Sequence, residues 1–226
     1  MSLKGIVFDF NGTLLWDSDK HEYAWKVLSE RLRGYPFTEE EIRNKVHGRV
    51  NRVILEYLLN RRLDEKEAKE LADQKEKIYL ELCEKDTSFD LAPGAKDLLG
   101  YLCKHQIPHA IGSSSCGENI EYYIQKFHLS NWFQEDHIVH DDGTMNGKPA
   151  PDIYLRCSER LGILPKDLIA VEDAASGIRS ASSAGYGRII AVVPETDQDR
   201  FSDMQAVDEV IVTFDDFNRQ ELLLPE

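Results

Sequence analysis

Four groups of polar residues in this sequence have side chains that suit phosphoryl transfer. A carboxylate can attack phosphorus, a hydroxyl and an ammonium can bind phosphate oxygens, and paired carboxylates can hold Mg²⁺ through hard oxygen ligands. In chain order, the groups are Asp9 with Asn11, Ser113–Ser115, Lys148, and Glu172–Asp173. Each alone has an ordinary explanation, as a helix cap, a polar turn, a solvated lysine or a helix start. Their order along the chain is more specific and indicates chemistry through an aspartyl-phosphate.

Apolar strands that alternate with helices position these groups. Strands are predicted at residues 4–10, 108–112, 138–140, 168–171, 188–193 and 209–212. Helices are predicted at residues 94–104, 118–127, 151–161 and 175–184. This alternation predicts an α/β fold with a parallel, doubly wound sheet. Ligands bind at the carboxyl ends of the strands in such sheets, so the four groups are expected to meet at one edge.

The segment between the first two strands has a different pattern from the rest of the sequence. Residues 18–83 contain almost only helical patterns that are rich in charged residues. Trp25, Leu28 and Leu32, for example, recur at helical spacing. We therefore predict a core domain at residues 1–15 and 84–226 and an inserted all-helical cap domain at residues 16–83. The cap is expected to lie over the carboxyl ends of the strands.

Composition limits the class of partner. The chain has 226 residues, a formal net charge of −14 and 42% hydrophobic residues, which favours an acidic protein with a sizeable core over one that binds nucleic acid or a membrane surface. A small anionic substrate stays compatible, since a metal and a few cations can reverse the local charge. The four cysteines form no C-x-x-C pair, so a zinc site is not expected. No signal pattern or long apolar segment is present, so a cytoplasmic protein is expected. A monomer is the simpler expectation for a capped fold of this size.

The motifs resemble those of the haloacid dehalogenase superfamily. The matching segments are Asp-Phe-Asn-Gly-Thr-Leu, the Ser113 turn, Gly-Lys-Pro-Ala-Pro-Asp-Ile-Tyr and Val-Glu-Asp-Ala-Ala-Ser-Gly-Ile, and they keep the order and spacing of that family over nearly the full length. The chain looks most like the branch with a helical cap, which includes sugar-phosphate phosphatases and β-phosphoglucomutase. The resemblance implies a Rossmann-like core and Mg²⁺-dependent hydrolysis of a small phosphorylated metabolite.

The resemblance also implies roles for residues of the core. Asp9 would be the nucleophile, Ser113 and Ser114 would bind phosphate, and Lys148 would orient and balance the nucleophile and the phosphate. Mg²⁺ would be held by Asp9, the backbone carbonyl of Asn11 and Asp173, with Glu172 in or next to the metal shell.

In the predicted cap, the resemblance extends to substrate-binding positions. They are His21, Trp25, Arg49, Arg52 and Lys75. The two arginines and Lys75 could equally be solvated helix surface, and Trp25 could belong to the cap core. His21 is also shared by ordinary phosphatases of this branch, so it does not identify a mutase.

Asn11 departs from the family pattern, which has an aspartate two residues after the nucleophile. An amide keeps the shape and can donate a hydrogen bond, but it cannot shuttle a proton. General acid–base catalysis contributes roughly 10²–10⁴-fold to a rate. Three functions therefore stay open: a slow phosphatase, a β-phosphoglucomutase-like phosphotransferase, and a non-catalytic phosphate-binding protein. Asn11-Gly12 is also prone to deamidation, which would create an aspartate at residue 11.

Overall fold

The computed structural model describes residues 3–201 and 203–222. The chain divides into two compact units, which we call the sheet unit (Met1–Trp16 with Leu91–Glu226) and the helical unit (Asp17–Asp90). Residues 1, 2, 202 and 223–226 of the predicted core domain lie outside the described residues.

The sheet unit contains a six-stranded parallel sheet, which confirms the predicted α/β fold. The strands are β1 (Gly5–Phe8), β2 (His109–Cys116), β3 (Ile138–Asp141), β4 (Leu168–Glu172), β5 (Arg188–Val192) and β6 (Glu209–Ile211). Their spatial order is β3-β2-β1-β4-β5-β6, so the strand order reverses at β1. The carboxyl end of β1 is therefore the point where a doubly wound sheet opens a crevice for a ligand.

Eight α-helices occur in the described part of the chain. They are α1 (Ser18–Arg33), α2 (Glu39–Glu41), α3 (Asn51–Leu59), α4 (Glu65–Lys85), α5 (Ala95–Lys104), α6 (Gly117–Phe127), α7 (Asp152–Leu161) and α8 (Ala175–Ala184). The first four belong to the helical unit, where a π-helical turn (Ile42–Val46) follows α2. Among the described helices, none is both long and apolar enough to cross a membrane.

Both units have apolar cores that follow the sequence periodicity. All four residues of β1 and all five of β4 are buried, because helices cover both faces of a parallel sheet. In the helical unit, Trp25, Leu28 and Ile54 belong to one buried cluster. The helical spacing of the first two residues brings them to the same face of α1.

The serine run 113–115 lies in strand β2 and not in a turn after it, as the sequence had suggested. The sequence places the strand end at Gly112, but β2 continues to Cys116, which pairs with Asp141 on β3. The register shifts between Gly112 and Cys116, so the extended backbone passes through an irregularity before pairing resumes. The apolar residues of the sequence end where this irregular stretch begins, and for this reason the sequence predicts a strand that is shorter than β2.

Candidate active site

Lys148 joins two carboxylates at the carboxyl end of the sheet. Its Nζ donates to Asp9 Oδ1 at 2.5 Å, to Glu172 Oε1 at 2.6 Å and to the Gly112 carbonyl at 3.1 Å. The exposed fractions of Asp9, Lys148 and Glu172 are 7%, 5% and 1%. A buried ammonium is stable only when it is paired and hydrogen-bonded, so these contacts fix its position. Lys148 is therefore a buried site residue and not a solvated lysine.

Burial and charge shift the proton affinities of this pair. Burial raises the pKa of Asp9 to about 7, against the opposing charge of Lys148, and the negative charge of Glu172 adds to the rise. Burial alone would lower the pKa of Lys148, but the Asp9 and Glu172 carboxylates outweigh it and raise that pKa. Lys148 thus stays an ammonium. Its positive charge faces both Asp9 and Glu172, and it does not offset the effect of burial on the pKa of Asp9.

Asp173 is held next to the loop that follows β1. Its Oδ1 accepts a hydrogen bond from Thr13 Oγ1 at 3.2 Å. Gly12 has φ +86°, and a Cβ there would collide with the Asp173 carboxylate. Both the backbone conformation and the close approach therefore require glycine at residue 12.

The Gly12→Ala variant should lower the free energy of unfolding. The left-handed conformation costs a non-glycine residue about 1–2 kcal/mol, and the collision with Asp173 adds to that cost. Urea denaturation measures the change. Gly100→Ala is the matched control, because Gly100 lies within α5 and a Cβ there meets open space. That control should gain roughly 0.5–1 kcal/mol, so equal losses in both variants would contradict the explanation.

The acidic residues of the site suit a divalent cation. One oxygen from each of Asp9, Glu172 and Asp173 lies within 4.8 Å of the others. When all three carboxylates are ionised, they carry two more negative charges than the Lys148 ammonium balances. Burial, followed by the charges of Asp9 and Glu172, raises the pKa of Asp173 well above its ordinary value. A hard dication such as Mg²⁺ would balance this charge through oxygen ligands, so the residues fit the ion.

The Asn11 side chain is oriented by hydroxyl groups of the sheet unit. Its Nδ2 donates to Tyr123 Oη at 2.9 Å, and its Oδ1 accepts from Ser115 Oγ at 2.6 Å. Ser113 Oγ is a more distant donor to the same oxygen, at 3.5 Å. Tyr123 is fully buried, so the amide is anchored to the core by a rigid partner.

The predicted phosphate ligands lie at the end of β2. Ser113 is buried, and its Oγ accepts the backbone N–H of Ser115 at 3.1 Å. Ser114 is half-buried. The contact of Ser113 with Asn11 connects β2 to the loop after β1. The structure thus gathers all four predicted groups of the sheet unit at the same edge of the sheet.

In the helical unit, two of the predicted cap residues are in contact. Lys75 Nζ lies 2.6 Å from His21 Nδ1 and donates to Glu76 Oε1 at 3.0 Å. His21 Nε2 lies 3.3 Å from Asp17 Oδ2, which also accepts from Tyr79 Oη at 2.5 Å. Lys75 is only 2% exposed, so it is a member of a buried charged cluster and not solvated helix surface.

Of the other three predicted cap residues, Trp25 adjoins this cluster, since Lys75 Nζ lies over its ring at 5.5 Å from the centroid. Trp25 is 2% exposed and belongs to the apolar core of the helical unit, with its ring centroid 6.4 Å from that of Phe37. Arg52 is exposed and donates to the Leu63 carbonyl at 2.8 Å. Arg49 is half-buried. Their part in substrate binding stays a prediction.

Sequence reasoning assigned no individual role to several polar partners of the site residues. In the sheet unit these are Thr13, Ser115, Tyr123 and Tyr154, and in the helical unit Asp17, Glu76 and Tyr79. Thr13 and Tyr154 lie within the matching motifs and Ser115 lies within the serine run, so membership of a motif is a usable signal for these three. A tyrosine on the apolar face of a helix predicts only a core residue, since its hydroxyl partner is distant in sequence.

The chain is similar to proteins of one known family. The family model described as haloacid dehalogenase-like hydrolase matches residues 3–185. A phosphorylated carbohydrates phosphatase from Thermotoga maritima is 28% identical over 195 residues, covering 84% of this chain and 86% of that protein. A beta-phosphoglucomutase from Bacillus subtilis is 31% identical over 189 residues, covering 81% and 80%.

A solved structure is similar over almost the whole chain. The crystal structure of a HAD hydrolase of family IA, variant 3, from Entamoeba histolytica superimposes with a TM-score of 0.86 at 37% identity, and the match covers 97% of each chain. The family match spans most of the sheet unit and all of the helical unit. With its motif residues gathered at the edge of the sheet, this chain belongs to the haloacid dehalogenase-like hydrolases.

Proposed function

We propose that this protein is a Mg²⁺-dependent phosphatase that hydrolyses small phosphate monoesters through an aspartyl-phosphate on Asp9. The observation that carries the proposal is the buried contact of Asp9 with Lys148, beside Asp173. Sugar or polyol phosphates are the proposed substrate class, which is supported by the similarity to the phosphorylated carbohydrates phosphatase. The residues of the helical unit named above stay candidates for substrate recognition.

The first half-reaction transfers the phosphoryl group to the protein. An Asp9 carboxylate oxygen attacks phosphorus, a new O–P bond forms, and the bond to the leaving oxygen breaks. The leaving oxygen keeps the electron pair and takes its proton from solvent, because the Asn11 amide cannot supply one. Lys148 and the hydroxyls of Ser113 and Ser114 would stabilise the charge on the phosphoryl oxygens. Mg²⁺, held by Asp9, the Asn11 backbone carbonyl and Asp173, would supply further electrostatic stabilisation there.

The second half-reaction returns Asp9 to its free form. Water attacks the phosphorus of the aspartyl-phosphate, the Asp9 O–P bond breaks, and inorganic phosphate leaves. Asn11 cannot take the proton of this water, because an amide does not ionise in this range. For a substrate whose leaving group is stable as an anion, such as an aryl phosphate, dephosphorylation is therefore the proposed slow step, and phosphorylated Asp9 should accumulate.

Phosphate release from a panel of phosphorylated sugars and polyols tests the proposal. We expect Mg²⁺-dependent release that EDTA removes. The alternative favoured by Asn11 is a non-catalytic phosphate-binding protein, which would bind inorganic phosphate without releasing it from any substrate. A mutase needs transfer to a second substrate hydroxyl and depends still more on an acid–base residue at position 11, so we rank it below hydrolysis.

As pH rises, the metal-free protein should lose stability, whereas the stabilisation that Mg²⁺ adds should increase. The folded pKa of Asp9 is about 7 against an ordinary 3.8, so the folded state binds the extra proton between these values. The free energy of unfolding of the metal-free protein should therefore fall as pH rises from about 4 to about 7. Mg²⁺ requires the ionised carboxylate, so its stabilising effect should grow over the same interval.

Thermal unfolding with excess Mg²⁺ or EDTA, at several pH values, measures this dependence. The Asp9→Asn variant is the control, because it has no carboxyl group at residue 9 to titrate. A Mg²⁺ effect in the wild-type protein that is equal at about pH 5 and about pH 8 would be inconsistent with Asp9 as a metal ligand.

A further inference from the structure

The Glu172 carboxylate accepts four hydrogen bonds, about as many as its two oxygens can accept. Its Oε1 accepts from Lys148 Nζ at 2.6 Å and from Tyr154 Oη at 2.9 Å. Its Oε2 accepts the backbone N–H groups of Asp173 at 3.1 Å and Ala174 at 3.2 Å. A carboxylate offers about four lone-pair directions, so a metal could bind Glu172 only by displacing one of these donors.

The backbone of α8 also confines Glu172. A Cβ on Gly177 would collide with both carboxylate oxygens, so the Glu172 side chain packs directly against this glycine. Glycine within a helix lowers the stability by about 1 kcal/mol relative to alanine. The close approach of the Glu172 carboxylate explains why a glycine is nevertheless present at residue 177.

Tyr154 donates its hydroxyl hydrogen to the same Glu172 oxygen, Oε1, that accepts from Lys148. It is fully buried on α7, and its own carbonyl accepts a hydrogen bond from Tyr186 Oη at 2.9 Å. Lys148 Nζ lies 5.2 Å from the centre of the Tyr154 ring, so ring and hydroxyl act on both ends of the ion pair. Burial, with the charges of Glu172 and Asp9, raises the pKa of Tyr154 well above its ordinary value, which keeps the hydroxyl a donor.

We propose that Tyr154 is a positioning residue, whose hydroxyl holds Glu172 as the anchor of Lys148 and not as a ligand of the metal. The inference rests on the proposed function. Among the residues that the structure describes, two side chains accept from Lys148 Nζ, namely Asp9 and Glu172. Phosphorylation changes the Asp9 oxygens, so Glu172 is the side chain that can keep Lys148 in place through both half-reactions.

Two variants that each lose one buried hydroxyl distinguish an effect on the position of Glu172 from a general loss of stability. Tyr154→Phe removes the donor to Glu172, whereas Tyr186→Phe removes a donor to a backbone carbonyl nearby. Both should lower the urea midpoint of unfolding. Only Tyr154→Phe should slow single-turnover phosphorylation of Asp9 by an aryl phosphate, by roughly tenfold, with the half-saturating substrate concentration unchanged. Equal single-turnover rates in the two variants would overturn the positioning role.

Metal binding tests whether Glu172 is a ligand of the metal, and this test requires no turnover. Mn²⁺ is the probe, and its dissociation constant is measured by electron paramagnetic resonance on the full chain. Asp173→Asn should weaken Mn²⁺ binding by roughly tenfold or more, because a charged ligand is lost. Glu172→Gln should weaken it by only about two- to threefold, through the lost charge alone.

Each outcome of the metal titration bears on the proposal. Equal losses of Mn²⁺ affinity in Glu172→Gln and Asp173→Asn would make Glu172 a ligand and overturn it. Failure of the wild-type chain to bind Mn²⁺ would also overturn the proposal that Asp173 is a ligand of the metal while Glu172 anchors Lys148. Failure of the proposed phosphatase activity alone would leave the Mn²⁺ comparison decisive.

Discussion

Replacing Asp9 with asparagine should abolish phosphate release and lower any measurable wild-type rate by roughly 10⁴-fold or more. The amide has nearly the same shape as the carboxylate, but it lacks the charge that makes Asp9 a nucleophile. Lys148 also loses an ionic partner at 2.5 Å, while its contacts with Glu172 and the Gly112 carbonyl remain. The measurement is the steady-state rate of phosphate release with Mg²⁺ present.

Asp141→Asn is the matched control for this variant. Asp141 is also an aspartate at the carboxyl end of a parallel strand, where its Oδ1 accepts the backbone N–H of Gly143. Its loss should leave the rate within about twofold, as expected for a residue outside the site. A measurable wild-type rate that survives in Asp9→Asn would exclude Asp9 as the phosphoryl acceptor.

Replacing Asn11 with aspartate should raise the rate of phosphate release by roughly 10²-fold or more, up to the range of general acid–base catalysis. The carboxylate can take the proton of the attacking water, which the amide cannot. The site should accept this change, because the hydroxyls of Tyr123 and Ser115 can rotate to donate to either carboxylate oxygen. The fraction of Asp9 in phosphorylated form should fall at the same time.

Two controls make the Asn11→Asp result interpretable. The double variant Asp9→Asn/Asn11→Asp should show no gain, since the new acid–base group has no nucleophile to assist. Peptide mapping must show that residue 11 is wholly an amide in the wild-type sample. The Gly12 N–H, the group that would attack Asn11 during deamidation, is bonded to the Leu15 carbonyl at 2.7 Å. A wild-type protein as fast as Asn11→Asp would show that some other group moves the proton.

The positions of Asp9 and of the Glu172–Asp173 pair could be predicted because local pattern and sheet topology are enough to locate them. A fully apolar run followed by a carboxylate marks the end of a buried parallel strand. Since all such strands end at the same edge, residues 163 positions apart in sequence could be brought together without any knowledge of side-chain contacts.

The partners that fix these residues could not be predicted in the same way. Tyr154 contacts Glu172 across a separation of 18 residues, and Tyr123 contacts Asn11 across 112. Both tyrosines lie on buried faces of helices, where an aromatic ring is explained by packing alone. The direction of a hydroxyl depends on tertiary packing, which one sequence does not encode in any local pattern.

The serine run shows a different limit. Three consecutive serines predict a turn, yet residues 113–115 continue β2 because strand β3 offers a partner as far as Asp141. Pairing on both sides of the serine run, at Gly112 and at Cys116, therefore overrode the local preference. The functional expectation changes little, since Ser113 still lies at the sheet edge and contacts Asn11.

Intact-mass spectrometry of the acid-quenched protein, after incubation with Mg²⁺ and an aryl phosphate, tests the central claim most directly. The proposal predicts one phosphoryl adduct, mapped to the peptide that contains Asp9, with a longer lifetime in the wild-type protein than in Asn11→Asp. Asp9→Asn should carry no adduct. Phosphate release from a wild-type protein that never carries the adduct, or the absence of both adduct and release, would contradict the claim.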